Sequence, residues 1–114
     1  MKRIIVIEDD SDLAHLLQLL LRSENREVIW FANGISFLIS DCPPAETYII
    51  DINLGDVSGL SICEKLKQSK TTRNSRVIMM SAHPEIEQLS RNAHADDYLT
   101  KPFSRQRLLE KLQA

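Results

Sequence analysis

Glu8, Asp9, Asp51, Ser81 and Lys101 each close or directly follow a short apolar run, the runs being Arg3–Ile7, Thr47–Ile50, Arg76–Met80 and Tyr98–Thr100. If those runs are parallel strands, their carboxyl ends line one edge of a sheet, the edge where open α/β folds hold ligands. Three carboxylates, a hydroxyl and an ammonium then meet around one point. That combination suits a divalent cation beside a phosphoryl group. Asp51 ends the run Tyr48-Ile49-Ile50-Asp51, where a strand interior is shut from water. An unpaired carboxylate there costs on the order of several kcal/mol. Glu8 and Asp9 add like charge from a neighbouring strand, which should push at least one of the three pKa values upward. The three carboxylates sum to −3 and Lys101 adds +1, so one divalent cation brings the cluster to neutrality. An oxygen-only site with room for water points to Mg2+. A carboxylate in that setting is also a nucleophile able to form an aspartyl-phosphate. Asp51, on the central strand, is the strongest candidate, with Glu8 and Asp9 as metal ligands.

Taken singly, each residue has a plainer reading. Ser81 reads as a strand-end turn residue and Lys101 as a solvated surface lysine. Asp10 and Ser11 read as caps of the first helix. Asp56 and Ser58 read as turn and cap residues beside Gly55 and Gly59. His15, His83 and His94 are too scattered for a zinc site. Trp30 and Phe31 read as core and edge packing, and Met79 and Met80 as strand core. The joint placement after the first, third, fourth and fifth apolar runs is what favours the phosphoryl chemistry.

With 114 residues the chain suits one domain with a single core. Its 43% hydrophobic and 26% charged content is that of an ordinary globular protein. A net charge of −2 with no basic face gives no case for nucleic-acid binding. No signal-peptide pattern opens the chain, and its longest apolar runs are strand-sized, so neither secretion nor membrane insertion is expected. Cys42 and Cys63 show no metal or disulfide pattern and read as reduced thiols of a cytoplasmic protein.

Strand-like and helix-like segments alternate five times. The apolar runs at Arg3–Glu8, Glu27–Phe31, Thr47–Asp51, Arg76–Ser81 and Asp97–Thr100 alternate with helical patterns. A first helix is expected over Asp10–Glu24, with Leu13, Leu16, Leu17 and Leu20 on its buried face. A short second helix carries Phe37 and Leu38, and a third spans Ser58–Gln68 with Leu60, Cys63 and Leu66 inward. A fourth starts at Pro84 and runs to Leu89, and Ser104 caps a fifth carrying Leu108, Leu109 and Leu112. Strands apolar throughout imply helices on both faces. The expected fold is a (βα)5 doubly wound, flavodoxin-like parallel sheet in order 2-1-3-4-5, one domain over residues 1–114.

The segments IIVIEDD, YIIDINLGDVSGL, VIMMSA and DDYLTKPF closely resemble the receiver domain of two-component response regulators, over essentially the whole chain and in the right order. The resemblance implies that Asp51 accepts a phosphoryl group from a histidine kinase or phosphotransfer protein. It implies Mg2+ held directly by Asp9, through water by Glu8, and by Asp51 and the Asn53 backbone carbonyl. The Asn53 side chain would help set the dephosphorylation rate. Ser81 matches the switch hydroxyl, Tyr98 the switch aromatic and Lys101 the phosphate-binding lysine. The Lys101-Pro102 bond is expected to be cis. Phosphorylation would draw the Ser81 hydroxyl inward, let Tyr98 rotate, and change the surface of the fourth helix, fifth strand and fifth helix. That face would serve an output partner, a fused output domain or a homodimer.

Gly55 stands where the family usually has proline, which should loosen the loop after Asp51. His94 stands where a glycine is usual, so its backbone should be strained or altered. The stretch from Ser81 to Tyr98 looks about half a helical turn shorter than the family norm. A receiver catalyses only its own phosphorylation and hydrolysis and turns over no external substrate. The chief alternative is a receiver-like interaction module that works without phosphorylation; the complete set of site residues argues against it. A Mg2+-dependent aspartyl phosphohydrolase would need an acid two residues after the nucleophile, where this chain has Asn53. A nucleotide or flavin site lacks the glycine-rich loop it would need.

Overall fold

The computed structural model describes residues 2–22 and 25–113. Five parallel strands, β1 (Lys2–Ile7), β2 (Arg26–Phe31), β3 (Thr47–Asp51), β4 (Arg76–Ser81) and β5 (Asp97–Thr100), form one sheet in the order β2-β1-β3-β4-β5. Between and after them run α1 (Ser11–Leu21), α2 (Gly34–Leu38), α3 (Gly59–Gln68), α4 (Ile86–Asn92) and α5 (Arg105–Gln113). The expected doubly wound fold and strand order are observed. Parallel strands need crossover connections, and here each crossover carries a helix back over a sheet face.

The sheet divides the core into two layers because successive strand side chains point to opposite faces. Ile5, Ile7, Tyr48, Ile50, Val77 and Met79 pack with Ile62, Cys63 and Leu66 of α3 and Ile86 of α4. Ile4, Val6, Ile49, Ile78, Met80 and Leu99 pack with Leu17 and Leu21 of α1 and Leu108 of α5. Strands β1, β3 and β4 are buried on both sides, as their unbroken apolar runs require.

Four local expectations need correction. Helix α1 ends at Leu21 with Arg22 as its cap; Ser23 and Glu24, placed in this helix from sequence, lie outside the described residues. Its buried stripe is Ala14, Leu17 and Leu21, at i, i+3 and i+7, which turns Leu16 to solvent at 48% exposure. Leu13 and Leu20 flank the stripe, half-buried against the core. The fourth helix starts not at Pro84 but at Ile86: residues 83–86 form a tight turn closed by the Ile86 N–H to His83 O at 3.1 Å, and the first helical bond runs from the Leu89 N–H to Glu85 O at 3.0 Å. His94 does adopt a left-handed backbone, with φ of 65°. It ends α4 in a Schellman motif: the Ala95 N–H reaches Ser90 O and the His94 N–H reaches Arg91 O.

Other caps follow the sequence. Asp10 accepts from the Asp12 and Leu13 N–H groups, Ser58 from Leu60 and Ser104 from Arg107. Ser11, by contrast, is the first residue inside α1 rather than its cap.

Candidate functional site: an acidic cluster at the carboxyl edge of the sheet

The register of the central strands aligns the chain where each strand ends. Ile7 sits beside Ile50, Asp51 beside Met80, and Ser81 beside Thr100. One residue beyond these rungs the chain leaves the sheet, so Glu8, Asp51, Ser81 and Lys101 emerge together. Glu8 is fully buried, Asp51 is 6% and Ser81 3% exposed, and Asp9 faces solvent. One carboxylate oxygen from each of Glu8, Asp9 and Asp51 can be chosen so that all lie within 4.8 Å of one another.

Lys101 reaches into this group from the far side. Its Nζ donates to Glu8 Oε1 at 2.7 Å and to Asp51 Oδ2 at 2.8 Å. Burial pushes the Glu8 carboxyl up to about 7; the neighbouring Asp51 adds to that rise and the Lys101 ammonium opposes it. Burial disfavours the Lys101 ammonium, but Asp51 and Glu8 outweigh it and hold its pKa above the ordinary lysine value. One ammonium among three carboxylates leaves the edge short of positive charge. The oxygen-only donors, open to water on the Asp9 side, therefore fit a hydrated hard divalent cation.

The loop after Asp51 is held in place from two directions. The Asn53 N–H donates to Asp51 Oδ1 at 3.0 Å, and Asn53 itself is exposed. Asp56 accepts from the Gly34 and Ile35 N–H groups at 3.1 and 2.8 Å, tying the loop to the start of α2. Sequence reading assigned Asp56 only a turn role; nothing local in its neighbours points to a partner 21 residues away. Gly59, at the start of α3, packs so closely that an added Cβ would sit 1.9 Å from the Asp51 carbonyl oxygen. Gly55 has φ of 86°, a conformation glycine adopts freely.

Ser81 Oγ accepts the His83 N–H at 2.9 Å, and the Lys101-Pro102 bond is cis as expected. Tyr98 stands at the half-buried edge of β5. Lys111 Nζ lies 5.1 Å from the centre of its ring and 2.9 Å from Asp97 Oδ1, while Arg76 holds the other Asp97 oxygen at 2.9 Å. On the α4 side Tyr98 lines a cleft with Ser90 and Ala95.

Sequence reading missed one contact altogether. The Trp30 indole N–H donates to the Glu8 carbonyl oxygen at 2.7 Å. In the sequence Trp30 is simply an aromatic residue inside a strand. Cys63 is buried with its Sγ 3.4 Å from Ala93 O, and Cys42 is a free thiol at intermediate exposure. No helix among the described residues is long and apolar enough to cross a membrane.

Comparison with known proteins identifies the family to which the chain belongs. The family model for the response regulator receiver domain matches residues 4–113. Response regulator RppA of Synechocystis is 37% identical over 118 residues, covering 98% of this chain and 49% of RppA. Response regulator DrrB of Thermotoga maritima superposes with a TM-score of 0.88 at 30% identity, covering 99% of this chain and 51% of that one. Thermotoga maritima TrrA, solved in complex with Mg2+ and beryllium fluoride, gives 0.85 at 29% identity, covering 99% of this chain and 97% of TrrA. The chain spans about half the length of the curated relatives it matches. An acidic cluster at the carboxyl edge of a 2-1-3-4-5 sheet, a lysine bridging it, and a family match over nearly every residue place this chain in the response regulator receiver domain family of two-component systems.

Proposed function

We infer that the chain is a phospho-accepting receiver in which Asp51 takes a phosphoryl group from a histidine kinase or phosphotransfer protein. The observation that carries the reading is the shared contact of Lys101 with Asp51 and Glu8, beside Asp9. An Asp51 carboxylate oxygen attacks the phosphorus; the new O–P bond forms as the donor's N–P bond breaks and the imidazole keeps the electron pair. Little covalent help is needed beyond in-line placement and charge stabilisation. Mg2+ would be held by Glu8, Asp9, Asp51 and the Asn53 carbonyl, and when bound it supplies positive charge to the phosphoryl oxygens. Lys101 would exchange part of its contact with Asp51 for a phosphoryl oxygen. The Ser81 hydroxyl, now accepting from His83, would turn to donate to another.

The Ser81 movement would free space for Tyr98 to leave Lys111, altering the face built from α4, β5 and α5. That face would engage an output partner, a fused output domain or a second copy. The protein would act in the cytoplasm and catalyse only its own phosphorylation and dephosphorylation. Incubation with acetyl phosphate, with and without MgCl2, followed by intact mass measurement tests the reading. A single Mg2+-dependent phosphoryl addition is expected; a folded protein that gains none would be an interaction module instead.

A further inference from the structure

The metal reading leaves open what fixes the peptide that carries Asp9. Glu8 is the first residue past the last β1–β2 rung, which pairs Ile7 with Phe31. Its N–H still reaches Phe31 O at 3.1 Å, but its carbonyl lies beyond the end of the strand ladder. Trp30, one residue before Phe31, supplies the missing donor through its indole at 2.7 Å. A peptide group is planar, so pinning the Glu8 carbonyl also sets the direction of the Asp9 N–H and the course of the chain into the Asp9 α-carbon. The indole is itself held in place. It packs, half-buried, against the core layer that contains Ile4, Val6 and Leu17, and the His15 ring of α1 meets it edge-on at 5.5 Å between centroids. The loop is stitched further by the Asp10 N–H, which donates to Glu8 Oε2 at 3.2 Å.

We propose that Trp30 is a positioning residue for the cation site, aiming Asp9 through its hydrogen bond to the Glu8 carbonyl. This rests on the reading of Glu8, Asp9 and Asp51 as Mg2+ ligands. Trp30 touches neither the cation nor the phosphoryl group; it acts by holding one peptide plane at the orientation the ligands require. Packing alone would account for the ring but not for its N–H being spent on this carbonyl. Trp30 is half-buried, and its N–H is given to the backbone of the acidic pair.

The test titrates MgCl2 into the folded protein and follows the amide signals of Asp9 and Asn53 by NMR. Trp30→Phe removes the N–H and part of the ring, while replacement of Trp30 by benzothienylalanine keeps the ring shape and removes only the N–H. Both should weaken Mg2+ binding by about three- to tenfold, the range of one lost hydrogen bond, at a temperature where all proteins are fully folded. If the benzothienyl protein binds Mg2+ as the wild type does, the proposal is overturned and Trp30 is a packing residue, with the metal reading intact. If the wild type itself shows no MgCl2-dependent shifts, and Asp9→Asn behaves identically, the metal reading falls and the Trp30 proposal with it.

Discussion

Lys101 Nζ stands 2.8 Å from Asp51 Oδ2 while remaining 2.7 Å from Glu8 Oε1, so one ammonium is shared between carboxylates at the ends of two different strands. Glu8 has no exposed surface and the Asp51 side chain is 9% exposed. Charges so placed are tolerated only while they are compensated.

Removing that ammonium should therefore cost stability in a way that Mg2+ can offset. In Lys101→Met the stem is kept and the charge lost, leaving the carboxylates unpaired. In EDTA we expect a loss of about 2–3 kcal/mol, a fall in Tm on the order of 10 °C. In excess MgCl2 part of the loss should return, because a cation bound only by the folded state raises its stability. Thermal melts of both proteins, with and without Mg2+, measure this; an equal loss in both buffers would mean that the carboxylates do not share a cation.

A second prediction concerns Asp97, away from the acidic cluster. Burial would raise its pKa, but Lys111, the Tyr98 N–H and Arg76 outweigh burial and hold it below the ordinary aspartate value. A depressed folded-state pKa gives stability that is present above the unfolded-state value of about 3.9 and lost as pH falls through the folded value. Asp97→Asn should accordingly be less stable than wild type at neutral pH, with the gap closing below about pH 4. Urea unfolding across that range reads it out, and a gap that stays constant with pH would contradict the ion-pair account.

Lys111 also restrains Tyr98. A cation over a tyrosine ring is worth about 0.5–1 kcal/mol at a partly exposed site. If phosphorylation needs Tyr98 to move away, Lys111→Met should favour the moved state. Affinity for beryllium fluoride with Mg2+ should then rise about two- to fivefold. Asp97→Asn, which loosens the Lys111 ion pair while keeping the ammonium, should raise it less. Unchanged affinity in Lys111→Met would separate the Tyr98 contact from switching.

The fold was legible from the sequence because every central strand is buried on both faces, so apolar runs of strand length stand out against amphipathic helices. That Glu8, Asp9, Asp51 and Lys101 come together was legible for a related reason: carboxylates at buried strand ends are costly unless they meet a positive charge. What stayed hidden depends on angle or distance. Leu16 looks equivalent to Leu17 in a helical count, yet the contact stripe passes through Ala14, Leu17 and Leu21 and leaves Leu16 exposed. Pro84 suits a first helical turn, but residues 83–86 close as a tight turn and the first helical bond is accepted by Glu85. Asp56 and Trp30 work through backbone groups of other elements, which no local pattern records.

The central claim is that Asp51, and no neighbouring group, receives the phosphoryl. Borohydride reduction of protein treated with acetyl phosphate and MgCl2, followed by peptide mapping, tests it directly, since reduction converts an aspartyl-phosphate to homoserine. The account predicts homoserine at position 51, absent when Mg2+ is chelated and absent in Asp51→Asn. A reduced residue at position 8 or 9, or a phosphate on Ser81 that resists reduction, would contradict it.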